Sequence, residues 1–213
     1  MADRDKTQRQ SISETRRKMQ ILHAALRCGA KKGLAGMTMD DVSQAARLSK
    51  GLPFYYFKSK QKLYLAMIDL FTRDVGEQAF EILRSEVAEE TILSKLARAF
   101  VGSLTVNCKH PTMLIEFWTL GLRDREIAAR LCQVRELMQA RIAEILERGM
   151  ASGTFHCSDA NQAAHSLYCS LMGICSQWVI GNRAFDPMLT VDTITNAFLT
   201  NLESSDAASG NNA

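Results

Sequence analysis

Along almost the whole chain apolar residues recur at a spacing of three and four rather than two, and only three prolines (Pro53, Pro111, Pro187) interrupt them. That period places apolar side chains on one face of a helix, whereas a half-buried strand needs strict alternation. The sequence therefore predicts an all-α chain of about nine helices. A first helix is expected over residues 14–32, with Met19, Leu22, Leu26 and Ala30 on one face and Gly33 just past its end. Residues 1–13 read as a polar arm. Thr38, followed three residues on by Asp41, opens a short second helix reaching Ala46, a variant of the capping box. A third short helix is expected from Ser49 to near Phe57, and Ser59 caps a long fourth one carrying Leu63, Met67, Leu70 and Phe71 inward.

Beyond Glu90 the helices lengthen. Segments at 91–107 and 111–122 precede one over 124–151 with a clean stripe of Ile127, Leu131, Val134, Met138, Ile142 and Ile145, ended by Gly153. Ser158 or Asp159 caps the next helix, which runs to about Gly181, and Val191, Ile194, Phe198 and Leu202 mark the last. The expected division is an N-terminal head over residues 1–58, arm included, a larger helical domain over 59–203, and a flexible polar tail over 204–213.

Charge separates the two ends. Residues 1–64 hold 14 Lys/Arg against 5 Asp/Glu, while the remaining residues hold 12 against 18. A compact basic end favours a polyanion, nucleic acid foremost. No stretch reaches the roughly 18 uncharged apolar residues that a membrane span needs. The polar start of the chain is unlike a secretory signal, so a cytoplasmic location is expected and no membrane partner. Six scattered cysteines (Cys28, Cys108, Cys132, Cys157, Cys169, Cys175) form neither a CxxC nor a zinc-spaced cluster, and in a reducing compartment they read as small buried side chains, with no metal or cofactor implied.

The most informative stretch is TMDDVSQAARLSKGLPFYYFKSKQKL, residues 38–63. Two short helices joined by a few residues cannot bury both faces, so each packs on the first helix and leaves a surface open. On the second of the pair that surface holds Lys50, Gly51, Tyr55, Tyr56 and Lys58. Small residues permit close approach to a major groove, tyrosine hydroxyls suit phosphates, and lysines supply charge. Val42, Ala46, Leu48, Phe57 and Leu63 are assigned to the core.

This stretch resembles the DNA-binding domain of the tetracycline-repressor (TetR) family: a threonine-opened helix, a turn, then SKG, an aromatic run, F-K-S-K and a leucine. Thr38, Val42, Ala46, Ser49, Lys50, Gly51, Tyr55, Tyr56, Phe57, Lys58, Ser59, Lys60 and Leu63 carry the match. The resemblance implies that Thr38 holds a phosphate, that Ser49, Lys50 and Gly51 meet base edges or adjacent phosphates, and that Tyr55, Tyr56, Lys58 and Lys60 contact the backbone. Two residues depart from the pattern. Arg47 stands in the turn where the family often has glycine, so a left-handed conformation there carries strain. Pro53 falls inside the expected recognition helix, where its missing N–H removes about one helical bond and tightens or displaces the first turn.

In the C-terminal half, Leu167, Leu171, Ile174 and Trp178 form one stripe and Tyr168, Met172, Cys175 and Val179 another, with small residues Ala163, Ala164, Ser170 and Gly173 between. A helix apolar over most of its circumference can fill its own core on one face and meet a twofold copy on another. Ala163, Leu167, Ser170, Leu171, Ile174 and Trp178, with Phe198 of the last helix, are the expected dimer contacts. An effector cavity between helices is expected to draw on Phe71, Phe100, Met113, Glu116, Phe117, Trp118, Met138, Tyr168, Met172 and Trp178. Glu116 beside two aromatics would suit a cationic ligand.

The reading that follows is a regulator, not an enzyme: a homodimeric repressor that binds a palindromic duplex operator and is released by a small-molecule effector. No GxSxG, phosphate loop, HExxH or partnered carboxylate pair points to catalysis. The alternative is a cysteine-based redox sensor on the same scaffold, although Cys169 and Cys175, six residues apart, lie on opposite sides of one helix and so cannot bridge there.

Overall fold

The structure, a computed structural model, describes residues 2–84 and 87–203, and every regular element among them is helical. In chain order these are α1 (Ala2–Lys32), α2 (Met39–Ala46), α3 (Leu52–Phe57), α4 (Lys60–Leu83), α5 (Glu89–Leu104), α6 (Met113–Gly121), α7 (Arg125–Ser152), α8 (Ala160–Ile180) and α9 (Pro187–Glu203). No helix among the described residues is long and apolar enough to cross a membrane. The expected tail at 204–213 lies outside the described residues.

Local chemistry sets most boundaries where the sequence signals them. Thr38 and Asp41 close a complete capping box on α2. The Ser59 hydroxyl accepts from the Lys62 amide at the head of α4, and Asp159 accepts from Asn161 and Gln162 at the head of α8. Gly33 and Gly153 adopt φ of 74° and 80° behind α1 and α7, a conformation that glycine enters without a Cβ penalty. One expectation is corrected: residues 2–13 are not an arm outside the helix but the first turns of α1. No proline or glycine separates them from the amphipathic part, and a helix once nucleated propagates through residues such as Arg, Lys, Gln and Ser at little cost.

The chain divides into two compact units. The first comprises Met1–Phe71 and Thr112–Leu131, the second Thr72–Pro111 and Cys132–Ala213. The first unit thus takes α6 and the start of α7 alongside the helices the sequence assigns to the head. Its core is built on Ile21, Leu22, Ala25, Leu34, Met37, Val42, Leu63 and Met67. α6 docks here through Met113, whose sulfur sits 3.1 Å from where a Cβ on Gly29 would lie, so the missing side chain lets the two helices close up. The Asp124 carboxylate caps α7 at Glu126 and Ile127 and accepts from the Gln61 amide of α4. Those donors hold its pKa below the usual carboxylate value. Lys62–Glu126 at 2.7 Å and Arg130–Asp69 at 2.6 Å continue the seam between α4 and α7.

In the second unit α5, α8 and α9 pack pairwise. Phe100 and Tyr168 meet edge to face at 5.7 Å, and Leu93, Leu96, Val101, Leu167, Leu171, Ile174, Cys175 and Val191 complete the interior. Apolar burial at about 25 cal/mol per Å² is the main force holding such a bundle together.

Candidate nucleic-acid interface

α2 and α3 are held on α1 by polar contacts to their ends as well as by packing. Gln20 of α1 donates to the Ala46 carbonyl at 2.8 Å and Arg27 donates to Ala45 at 3.3 Å, satisfying carbonyls that the end of a helix leaves open. Arg47 then takes φ 56° and ψ 48°. The left-handed turn expected at this position is therefore made without glycine, its amide bonding back to Gln44. The buried Ser43 hydroxyl reaches the Lys50 carbonyl at 3.1 Å and pins the turn from beneath.

The expected start of the recognition helix needs correction. α3 begins at Leu52, not Ser49, with Gly51 in the N-cap position and Pro53 in the first turn. There the proline nitrogen would have had no helical partner, so no bond is lost, and its fixed φ favours the helix. Ser49, Lys50 and Gly51 consequently belong to the turn before α3, with Ser49 accepting from the Leu52 amide.

Most of the expected residues are exposed. Tyr55 is 67% exposed, meets Tyr56 edge to face at 5.2 Å, and lies under the Lys58 ammonium at 4.9 Å. Lys50 is open to solvent and pairs with Asp40 of α2 at 2.9 Å, which holds the Lys50 pKa above its ordinary value. Gly51 has φ −86°, and a Cβ there would meet nothing within 4 Å. Neither backbone conformation nor internal packing requires glycine at that point. A side chain there would obstruct only something arriving from outside.

Two members of the expected set are engaged elsewhere. The Thr38 hydroxyl accepts from the Asp41 amide and donates to its carboxylate. Lys60 donates to the Ala35 carbonyl at 3.3 Å and lies over Tyr64. Asp41 receives Lys32 at 2.6 Å as well as Thr38, and its pKa falls to about 2, chiefly through the Lys32 hydrogen bond. One exposed residue escaped the sequence-based assignment: Phe54, half exposed on α3. The sequence put Phe57 of this F-Y-Y-F run in the core but left Phe54 unassigned, because the face it takes depends on where α3 begins.

The residues assigned to an effector cavity divide between the two units. Glu116 accepts from the Leu34 amide at 2.8 Å, Phe117 is buried against Phe71, and Trp118 is exposed. The expected carboxylate–aromatic cluster for a cation is thus not assembled, because successive helical residues point about 100° apart. Met113 packs toward Gly29 in the same unit. Phe100, Met138, Tyr168, Met172 and Trp178 belong to the second unit, four of them buried and Tyr168 nearly so, with its hydroxyl pKa pushed up to about 12 by burial.

The expected dimer contacts divide. Leu167, Leu171, Ile174 and Trp178 are buried within the protomer, a correction to their assignment as contacts across an interface. Their stripe packs inward, and the helix turns Ser166, Ser170 and Gln177 to solvent, with Ala163, Gly173 and Phe198 half-buried. A Cβ on Gly173 would meet nothing within 4 Å.

Known proteins share this architecture. Residues 21–67 match the family described as bacterial regulatory proteins, tetR family, and residues 90–202 match the BetI-type transcriptional repressor C-terminal family. The HTH-type transcriptional repressor NicS of Pseudomonas putida is 27% identical over 176 residues, covering 81% of this chain and 80% of that protein. The HTH-type transcriptional repressor NemR of Escherichia coli is 25% identical over 171 residues, covering 74% and 81%. The fold is shared with the transcriptional regulator FadR from Bacillus subtilis in complex with stearoyl-CoA, at a TM-score of 0.75 and 16% identity, covering 86% of this chain and 98% of that one. With both its head and its larger C-terminal region matched, the chain belongs to the TetR family of bacterial regulatory proteins and is a DNA-binding helix-turn-helix transcriptional regulator.

Proposed function

We propose that the protein is a ligand-responsive repressor that binds a palindromic duplex operator as a homodimer. The observation that carries the DNA-binding half is the Lys50–Gly51–Tyr55–Lys58 segment, where an exposed aromatic and two exposed lysines share a short stretch with a glycine that nothing inside the molecule requires. Lys50 reads a base edge, with guanine O6 and N7 the natural acceptors. Tyr55, Tyr56 and Lys58 contact phosphates, and Phe54 offers an apolar surface to a thymine methyl group. Thr38 takes part by exchanging its Asp41 bond for a phosphate oxygen.

One six-residue recognition helix makes too few contacts for a stable complex, so two copies sharing a palindrome fit the requirement. The outward flank of α8 carrying Ser166, Ser170, Gly173 and Gln177, with Phe198 of α9, suits a close isologous helix contact. The effector is a small molecule with a substantial apolar part, held by Phe100, Met138, Tyr168 and Met172. The neighbouring fold solved with stearoyl-CoA supports long acyl chains as the first class to try. An effector acts only through its difference in affinity between the two states of the dimer.

The test is selection of bound duplexes from a random pool at moderate salt, repeated with stearoyl-CoA or a cell metabolite extract. Enrichment of a palindrome, and its loss on adding one of these, supports the reading. Failure to enrich any duplex overturns it.

A further inference from the structure

One face of α7 meets one face of α8 in the second unit. On α7, Cys132, Arg135 and Gln139 recur at helical spacing, and on α8 so do His165, Tyr168, Met172 and Cys175. The Gln139 side-chain amide lies 2.8 Å from the His165 ring, which fixes the register between the two helices. α8 follows α7 after the short segment 153–159 and returns alongside it, so one turn back along α7 falls opposite one turn on along α8. That step sets Arg135 against Tyr168. Phe100 of α5 meets the Tyr168 ring edge to face at 5.7 Å. Met138 and Met172, one turn from Arg135 and Tyr168 on their own helices, are buried.

Arg135 is divided between two environments. On the solvent side its Nη2 lies 3.5 Å from Glu136, and the side chain as a whole is 43% exposed. Its Nε is buried and has no hydrogen-bond partner. A guanidinium presents its donors in a rigid fork and does not lose its charge. A buried donor of a charged group that finds no acceptor is more costly than a neutral one, and an incoming acceptor removes that penalty. The groups whose charge reaches the Tyr168 hydroxyl are Arg135 and three thiols, Cys132, Cys169 and Cys175, with no carboxylate among them. Burial pushes the hydroxyl pKa up to about 12, so near neutral pH it too is a donor. Two donors and a fixed positive charge thus stand beside the apolar side chains of Phe100, Met138 and Met172.

We propose that the effector is an amphipathic carboxylic acid whose carboxylate is held by Arg135 and Tyr168. One carboxylate oxygen accepts from Arg135 Nε–H and the other from the Tyr168 hydroxyl, while the apolar chain lies along Phe100, Met138 and Met172. This assignment rests on the effector-responsive reading proposed above and adds to it the chemistry of the polar end. An alcohol of the same chain leaves the guanidinium without a counter-charge, and a cation is repelled by it.

Isothermal titration calorimetry of the full chain tests this with decanoate and dodecanoate, each against the alcohol of the same chain length, at neutral pH where the acids are ionised. The acids are expected to bind about tenfold tighter than the alcohols, and Arg135→Gln is expected to abolish that preference. Equal affinities for acid and alcohol overturn the proposal and leave the effector-responsive reading standing. A preference for the acid that survives in R135Q also overturns it, because the anion is then held elsewhere. Binding of none of the four probes overturns the proposal together with the apolar effector site beneath it. Should R135Q lose helicity by circular dichroism, Tyr168→Phe decides instead: a preference reduced by about threefold or more supports the paired donors, and an unchanged one overturns them.

Discussion

The carboxylate of Glu116 on α6 accepts a hydrogen bond at 2.8 Å from the backbone amide of Leu34, in the turn between α1 and α2. The carbonyl of Leu34 in turn accepts from the Tyr64 hydroxyl of α4. Leu34 is fully buried, so both of its peptide groups depend on these partners. The glycine before it leaves the room: a Cβ at Gly33 would lie 3.4 Å from the Glu116 carboxylate, and φ of 74° disfavours a side chain there in any case. Two helices thereby grip one residue of the turn that leads into α2.

Removing that grip leaves a buried donor unsatisfied, which costs more than the bond itself contributes. Glu116→Ala is expected to destabilise the protein by about 1–3 kcal/mol. Glu116→Gln keeps an acceptor and is expected to cost about half as much or less. Urea unfolding followed by circular dichroism measures both, and equal losses for the two variants would contradict the role given to the carboxylate oxygen.

The capping box at the head of α2 ties stability to acid. Lys32 and Thr38 hold the Asp41 pKa down to about 2 from 3.8. A carboxylate depressed in the folded state stabilises fully above its unfolded pKa and loses that contribution as pH falls through the folded one. The contribution of Asp41 is therefore present at neutral pH and disappears between about pH 4 and pH 2. Asp41→Asn is expected to flatten the acid limb of a melting-temperature profile in that window. Thr38→Ala removes the N-cap acceptor and is expected to cost about 1 kcal/mol at neutral pH.

Lys50 and Lys58 are expected to fail in different ways. Lys58→Ala should weaken binding to all duplexes alike and make the salt dependence shallower by about one unit of slope, because one phosphate contact is lost. Lys50→Ala should instead reduce discrimination at one base pair by about 1–3 kcal/mol. Asp40→Asn, which frees Lys50 from its ion pair, is expected to tighten binding to duplexes of any sequence. Fluorescence-anisotropy titrations over a salt series, with matched and single-mismatch duplexes, separate the three outcomes.

Gly149 lies inside α7, where alanine would ordinarily favour the helix by roughly 1 kcal/mol. Here the Phe155 ring rests on the bare backbone, and a Cβ would come within 2.1 Å of it. Phe155 is 1% exposed and has nowhere to retreat. Gly149→Ala is therefore expected to destabilise by about 1–3 kcal/mol, as overpacking of a filled core does. A thermal melt with a raised midpoint would refute this.

Periodicity, caps and charge are properties of neighbouring residues, and for that reason the sequence alone determined the helical class, the capping of α2 by Thr38 and Asp41, and the basic, lysine- and tyrosine-tipped head, while the left-handed turn at Arg47 was expected only through the family resemblance. The sequence placed Leu63, Val42 and Phe57 inside for the same reason. What only the tertiary structure decided is which of several permissible faces each helix presents. α8 is apolar around most of its girth, so period alone could not tell that Leu167, Leu171, Ile174 and Trp178 turn into their own protomer. Glu116, Phe117 and Trp118 are adjacent in sequence yet have three different surroundings, since a helix sends successive side chains about 100° apart. The start of α3 moved to Leu52 because its first turn is selected jointly by Pro53 and by the Ser43 hydroxyl seven residues before Lys50, and a partner that distant along the chain meets its target only after the helices have packed.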